Sequence, residues 1–548
     1  MNTAPFRGRQ CALLATAFTA LALAACGTNT TSTSNANNAP PQQACTALAG
    51  QQLPASAIGL PTTGAVVKSA DLVLNEPANG EYCAVRGVIL PVDPKAPAME
   101  FQVNLPSKWN GKALQMGGGG YDGTLITATG AFTAQANGTP NALARGYATL
   151  GSDGGHKGSN PFDGAFALND EALLNYGQQS VKKTHDVAVA LMRQRYGSAP
   201  RRFYFIGGSQ GGHEALDAAA RYAADYDGVI ANYPAYNITL LQQASLNVGR
   251  AVYGHGGAGF LNPAKQKLVY DAVYKACDKL DGLEDGTIGN IPGCNAAFNI
   301  DTVRARLRCP GGGEGGDGCL SDAQIAALQQ IATPYDMGFE VAGQRAFAAW
   351  PVLEGAFAPG GRSNLGRGTA AERDALLYTI GVAHTRYFVT RDPNFDALQL
   401  DPRQYQTRLQ QLGGITDVSN VSLAPFKARG GKLILTHGNA DDFISPHNTE
   451  AYYRLQVAAF GQAGADQFIR FYKIPGYGHG FGSFNLGYDG LALIDAWVEQ
   501  GADPGTPVAK DNNPGAARTR PMCTWPRYPR YDGKGDANSA ASFACVAY

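Results

Sequence analysis

Arg201-Arg202-Phe203-Tyr204-Phe205-Ile206-Gly207-Gly208-Ser209-Gln210-Gly211-Gly212 reads as a short buried strand that runs straight into a tight turn. The aromatic and β-branched run suits a strand covered on both faces, and Gly207-x-Ser209-x-Gly211 follows it at once. His213 to Tyr226 (HEALDAAARYAADY) then carries apolar residues at helical spacing. Strand, glycine-flanked turn and helix is the context in which G-x-S-x-G forms a nucleophile elbow. The turn is strained, and the neighbouring backbone passes too close for Cβ atoms, so glycines are required. The competing reading is an idle serine in a glycine-rich turn; the strand and helix on either side argue against it.

Outward from the elbow, the pattern is that of an α/β protein. Tyr82–Ile89, Met99–Leu105, Ala113–Met116 and Tyr147–Leu150 read as strands, and Val181 to Tyr196 as the helix leading to the elbow. The third of these strands runs into Gly117-Gly118-Gly119-Gly120-Tyr121, a loop able to offer backbone N–H groups to a ligand. After Tyr233 the α/β rhythm stops. From about 236 to 415 the chain is broken by Gly, Pro and Asp, with scattered helices and two cysteine pairs. Gly431–Gly438 and Phe468–Ile474 restore strands, and Gly490–Glu499 closes with an amphipathic helix. The expected architecture is an α/β-hydrolase fold interrupted by a large lid domain. It divides into core 45–235, lid 236–415 and core 416–548.

A serine hydroxyl needs a base to take its proton and a carboxylate to orient that base. In this fold the order along the chain is Ser, Asp or Glu, His, each just beyond a strand. Asp441 and Asp442 follow the Lys432–Gly438 strand, and His479 lies in Pro475-Gly476-Tyr477-Gly478-His479-Gly480 after the next. The expected catalytic set is Ser209, His479 and Asp441, working by acyl transfer. The expected oxyanion donors are the N–H of Gln210 and one from the tetraglycine loop.

Length and composition set the frame. The 548 residues can bury a large core, and a formal net charge of zero gives no reason to expect a nucleic-acid partner. Arg7, Arg9 and the apolar run Cys11–Ala25 read as an export signal (1–25), too short for a convincing membrane span. Leu23-Ala24-Ala25-Cys26 is similar to a bacterial lipobox, which implies cleavage before Cys26 and lipidation of its sulfur. Residues 26–44 are Asn/Thr/Ser-rich and read as a disordered tether. The expected location is the bacterial envelope, lipid-anchored, or the medium, with membrane contact only through the anchor. Eight further cysteines suit disulfides in an oxidising compartment, paired in order: Cys45 with Cys83, Cys277 with Cys294, Cys309 with Cys319, Cys523 with Cys545.

These blocks resemble the tannase and feruloyl esterase family. The resemblance is carried by Tyr82-Cys83-x-Val85-Arg86-Gly87, Leu105-Pro106-x-x-Trp109-Asn110-Gly111-Lys112, Ser152-Asp153-Gly154-Gly155-His156, the elbow, Gly430–Gly438, Pro475–His479 and Arg518–Cys523. It implies a monomeric carboxylic ester hydrolase for a small aromatic ester, of feruloyl, galloyl or terephthaloyl type. Aliphatic or hydroxyalkanoate esters, peptides, and a catalytically dead surface-binding protein are the alternatives. It assigns the acid to Asp441 rather than Asp442, the oxyanion donors to Gly120 and Gln210, and a place near the substrate to His437. It also implies a structural Ca2+ in the lid, held by Asp278, Asp281, Asp285 and the carbonyls of Leu283 and Thr287, an oxygen set that suits a hard cation.

Two departures matter. Many members of that family join a cysteine before the nucleophile to one after the histidine; Gly208 and Gly480 stand there in this chain, which predicts a more mobile His479 loop. The substrate-selecting part of the lid does not align securely. Arg362, Arg367, Arg373 and Arg386 are all candidates for a carboxylate-binding arginine. Trp350, Phe388 and Phe395 are candidates for an aromatic pocket or, as the stronger expectation, for core packing.

Overall fold

The computed structural model describes residues 41–357, 365–367 and 374–548. The signal segment, Cys26, Arg362 and Arg373 lie outside them. A ten-stranded sheet organises the chain in the order β1-β2-β3-β4-β6-β5-β7-β8-β11-β12. Its antiparallel part is β1 (Gln52–Leu53), β2 (Gly64–Glu76), β3 (Gly80–Leu90) and β4 (Met99–Pro106). Its parallel part is β5 (Lys112–Met116), β6 (Ala148–Ser152), β7 (Arg202–Gly208), β8 (Gly228–Asn232), β11 (Lys432–Gly438) and β12 (Ile469–Ile474). This is the α/β-hydrolase fold that the strand–elbow–helix pattern predicts.

Side chains alternate across the sheet with the period of two that a strand dictates. Phe203 and Phe205 of β7, with Leu433 and Leu435 of β11, pack under the helices Ser180–Tyr196 and Gln210–Ala220. Tyr204, Ile206 and Ile434 point to the opposite face, against Leu491, Ile494 and Trp497 of the helix Gly490–Gln500. Burial on both faces explains why these strands read as unbroken apolar runs.

Between β8 and β11 lies a segment with its own apolar core, which reaches the sheet domain through Tyr121, Tyr176 and Ile444. It holds more helix than its breaks suggest, with Ile238–Tyr253, Pro263–Cys277 and Asp322–Ile331 among the longer ones. It also holds the hairpin of β9 (Tyr335–Val341) and β10 (Gln344–Phe347). The 16-residue helix Ile238–Tyr253 is buried nearly all round, including polar Thr239, Gln242 and Gln243. Past β12, β13 (Leu486–Gly487), β14 (Val508–Asp511) and β15 (Thr519–Pro521) form a small sheet, and β16 (Arg527–Tyr531) pairs with β17 (Phe543–Ala547).

All four disulfides form as paired from the sequence: Cys45–Cys83, Cys277–Cys294, Cys309–Cys319 and Cys523–Cys545. Such bridges belong to an oxidising, extracytoplasmic setting. Residues 41–44, read as tether, differ from expectation: they belong to the helix Pro41–Thr46, which the Cys45–Cys83 bridge fastens to β3.

Candidate active site

Four loops that leave the carboxyl ends of β5, β7, β11 and β12 meet at one place, as ligand sites of parallel sheets do. The first is the elbow. Ser209 has φ 61° and ψ −119°, a conformation costing about 1–3 kcal/mol, and the helix Gln210–Ala220 begins at the next residue. The helix thus starts three residues before the periodicity suggests, because Gly211 and Gly212 form its first turn. The tetraglycine loop lies against that turn: a Cβ on Gly117 would come within 2.5 Å of Gly211 Cα, so only glycine allows the approach.

His479 joins the other two groups. Its Nε2 is 2.9 Å from Ser209 Oγ, and its Nδ1 is 2.9 Å from Asp441 Oδ2. Asp441 is wholly buried, and its Oδ1 accepts the N–H groups of Phe443 (2.8 Å) and Ile444 (2.9 Å). Burial alone would raise this carboxyl, but His479 and His437 outweigh it and hold it well below the usual carboxylate range. Since Asp441 accepts, Nδ1 of His479 carries the proton, leaving the Nε2 lone pair for the serine hydroxyl. Of the two neighbouring candidates, Asp441 is the carboxylate whose bond to the imidazole is seen.

His437 is not where the resemblance puts it. It is completely buried behind Asp441, with Nε2 3.1 Å from Asp441 Oδ2 and 3.0 Å from Ile444 O, and Nδ1 2.8 Å from Thr449 Oγ1. Two acceptors face Nε2, so that nitrogen carries the hydrogen and Thr449 donates to Nδ1. The cause is strand parity: His437 shares the face of Leu433 and Leu435, towards the helix Pro446–Phe460 and away from the substrate side.

Gly120 and Gln210 both line the cleft beside Ser209. Gln210 opens its helix, so its N–H has no partner within the helix. Its side chain is held by Tyr176, whose hydroxyl donates to Oε1 at 3.1 Å. Gly118 N–H donates to Glu214 Oε2 at 2.8 Å, which pins the tetraglycine loop to the elbow helix. Burial, then the Glu214 charge, push the neighbouring Asp122 carboxyl well above the usual range.

The cleft is narrow, with a cavity volume of about 30 Å³. Its aromatic walls are Tyr121, Phe162, Tyr176 and Phe443, and Ile238, Leu241 and Ile380 complete the apolar lining. No charged side chain lines it among the described residues. Besides Ser209 and Gln210, the lining includes Gln242, whose Oε1 is buried and without a hydrogen-bond partner. None of these walls stood out in the sequence, because each comes from a different segment. Trp350 and Phe388 are core residues, Phe388 packing behind Tyr121 at 5.3 Å. Phe395 is partly buried against the same core, and the Arg386 guanidinium donates to its carbonyl. Arg367 lies beside Asp374.

The Asp278–Thr287 run forms one tight turn. Asp278 Oδ1 accepts from Gly286 N, Asp281 Oδ2 from Gly289 N, and Asp285 Oδ1 from Thr287 N. Burial, reinforced by the Asp285 and Asp278 charges, pushes the Asp281 carboxyl up to about 7. The Arg520 guanidinium meets the Asp285 carboxylate at 2.6 Å. The Arg518 guanidinium also donates to the Asp285 carbonyl at 3.2 Å, and the oxygen donors of the three carboxylates suit a hard divalent cation. A tighter trio among the described residues, His185, Asp186 and Asp225, is already bridged by the Lys182 ammonium at 2.7 and 3.1 Å from the two aspartates.

The chain is similar to several known esterases. An uncharacterised esterase of Agrobacterium fabrum is 39% identical over 93% of this chain and 94% of its own. The mono(2-hydroxyethyl) terephthalate hydrolase of Piscinibacter sakaiensis is 31% identical over 85% of each chain. In fold, feruloyl esterase B from Aspergillus oryzae superposes with a TM-score of 0.75 over 92% of this chain and 100% of that one, at 21% identity. The family model described as tannase and feruloyl esterase matches residues 83–546. The chain therefore belongs to the tannase and feruloyl esterase family of carboxylic ester hydrolases.

Proposed function

We propose that this protein cleaves esters of aromatic acids by an acyl-enzyme mechanism with Ser209 as nucleophile, His479 as general acid–base and Asp441 as the orienting carboxylate. The observation that carries the reading is His479 bridging Ser209 and Asp441 at 2.9 Å on either side. As Ser209 Oγ attacks the ester carbonyl, its proton passes to His479 Nε2, and Asp441 stabilises the imidazolium. The oxyanion is received by the N–H groups of Gln210 and Gly120; losing one such donor typically costs about 2.7–4 kcal/mol. Nε2 then protonates the leaving alcohol. A water, deprotonated by the same nitrogen, releases the acid and restores Ser209. The four aromatic walls of the cleft support an aryl acyl group. Covalent labelling by a fluorophosphonate, together with an aryl-against-aliphatic ester panel, tests the reading. Labelling lost in Ser209→Ala and an aryl preference are expected; turnover surviving in Ser209→Ala would refute it.

In the same reading, Asp278, Asp281 and Asp285, with the carbonyls of Leu283 and Thr287, hold a structural Ca2+ that neutralises their charge and fixes the turn. Cys26 is proposed to carry lipid after cleavage of the signal. Incorporation of a labelled fatty acid into the wild type but not into Cys26→Ser is the test.

A further inference from the structure

Tyr233 follows the last residue of β8, and nothing in the acyl-transfer chemistry uses it. Its backbone is strained, with φ 34°, and its N–H donates to Thr436 O at 2.7 Å. The side chain is buried, and burial pushes its hydroxyl up to about 12, so the phenol is neutral. The ring lies 4.6 Å from that of His479, with Phe443 at 4.9 Å as the second aromatic neighbour of the imidazole. Two glycines leave room for it. A Cβ on Gly208 would stand 2.8 Å from both Cζ and Oη of Tyr233, and one on Gly480 would stand 3.3 Å from Oη. Gly208 immediately precedes the nucleophile and Gly480 immediately follows the base. Gly208 sits in the strand β7 without a positive φ, so its backbone does not demand glycine; the space taken by the phenol and by Thr133 Cγ2, 2.8 Å from the same point, does.

We propose that Tyr233 is a positioning residue that holds the His479 imidazole in line with Ser209, its phenol filling the gap between Gly208 and Gly480. The proposal rests on the Ser209–His479–Asp441 reading. A wedge that touches the backbone on both sides of the pair fixes their separation, where a displacement of 1 Å can cost about 100-fold in rate. It also restrains the histidine loop, so residues 475–484 should be protected from hydrogen exchange rather than mobile.

The test is Tyr233→Ala and Tyr233→Phe in the full-length protein, with kcat and KM, the fluorophosphonate labelling rate and hydrogen exchange at 475–484. Tyr233→Ala is expected to lower kcat by roughly 10- to 100-fold with KM within about twofold. The labelling rate should fall in parallel and exchange in the loop should rise. Tyr233→Phe keeps the ring and most of the rate. Rescue separates positioning from general stability. The built Cβ positions of Gly208 and Gly480 lie 2.8 and 3.3 Å from the same phenol oxygen, so the rescue pairs Gly208→Cys with Gly480→Cys in the Tyr233→Ala background, the second at a backbone φ of 85°. Oxidation of that pair should recover at least tenfold in kcat. If Tyr233→Ala does not fold, Gly208→Ala, which presses on the phenol, should lower kcat, and adding Tyr233→Leu should restore part of it. Unchanged kcat in Tyr233→Ala, a loss confined to KM, or a formed disulfide without recovery would overturn the proposal. Activity persisting in Ser209→Ala would instead overturn the catalytic reading beneath it.

Discussion

His437 Nε2 stands 3.1 Å from Asp441 Oδ2, the same oxygen that His479 Nδ1 meets at 2.9 Å. One carboxylate thus collects two imidazole donors and two backbone N–H groups while having no contact with water. His437 therefore helps keep Asp441 ionised in a place where burial favours the neutral acid.

Replacing His437 by Leu removes one charge-assisted hydrogen bond, worth roughly 1.5–3 kcal/mol. We expect kcat to fall about tenfold, less than in Asp441→Asn, where the analogous change in serine hydrolases costs roughly 10,000-fold. The sign of the stability effect follows from the depressed carboxyl. That stability is present above the unfolded value near 4 and is lost as pH falls through the folded one. His437→Leu should thus move the acid-unfolding midpoint upward, as followed by circular dichroism, and His437→Gln, which keeps a donor, should move it less.

Gln242 lies one helical turn beyond Ile238, and both line the cleft. An unpartnered amide oxygen there is an acceptor for a substrate donor, such as a hydroxyl on the acyl ring. Gln242→Leu should lower kcat/KM for a hydroxylated aryl ester roughly tenfold while leaving the unsubstituted ester within about twofold. The same change should raise the melting temperature slightly, because a buried unsatisfied oxygen is removed. Equal losses on both esters would count against recognition by Gln242.

How much of this was legible in the sequence depends on how local each feature is. The elbow is written in twelve consecutive residues, and Asp441 and His479 each follow a clear strand, so the constellation could be read without coordinates. The lysine and acidic residues of β2 (GAVVKSADLVLNE) mask a long antiparallel strand exposed on one face. His437 was misplaced although its signal was present: it is in phase with Leu433 and Leu435, but the sequence does not say which face a helix covers. The walls Tyr121, Tyr176, Ile380 and Phe443 come from four distant segments, and only the fold brings them together.

The acidic turn at 278–287 predicts a metal dependence. Chelation by EGTA should lower the melting temperature of the wild type, and added Ca2+ should restore it. Asp281→Asn, which removes the most raised of these carboxyls without changing its shape, should blunt both responses. No effect of chelator on melting would refute the calcium assignment while leaving the catalytic reading untouched.

His447 ties the inserted segment to the sheet domain and gives the contact a pH dependence. Its Nε2 meets Glu354 of the insert at 2.8 Å, and its Nδ1 meets Glu450 at 3.3 Å; Lys473, paired with Glu450, is the nearby cation. Burial works against the charged ring, but the two glutamates prevail and push its pKa up to about 9. A histidine raised above its unfolded value near 6.5 contributes stability that is complete below that value and disappears as pH rises through about 9. The wild type should therefore melt higher than His447→Gln at pH 6, and the difference should shrink steadily towards pH 9.5. Differential scanning calorimetry across that range measures it, and a difference independent of pH would show that His447 contributes by packing rather than by charge.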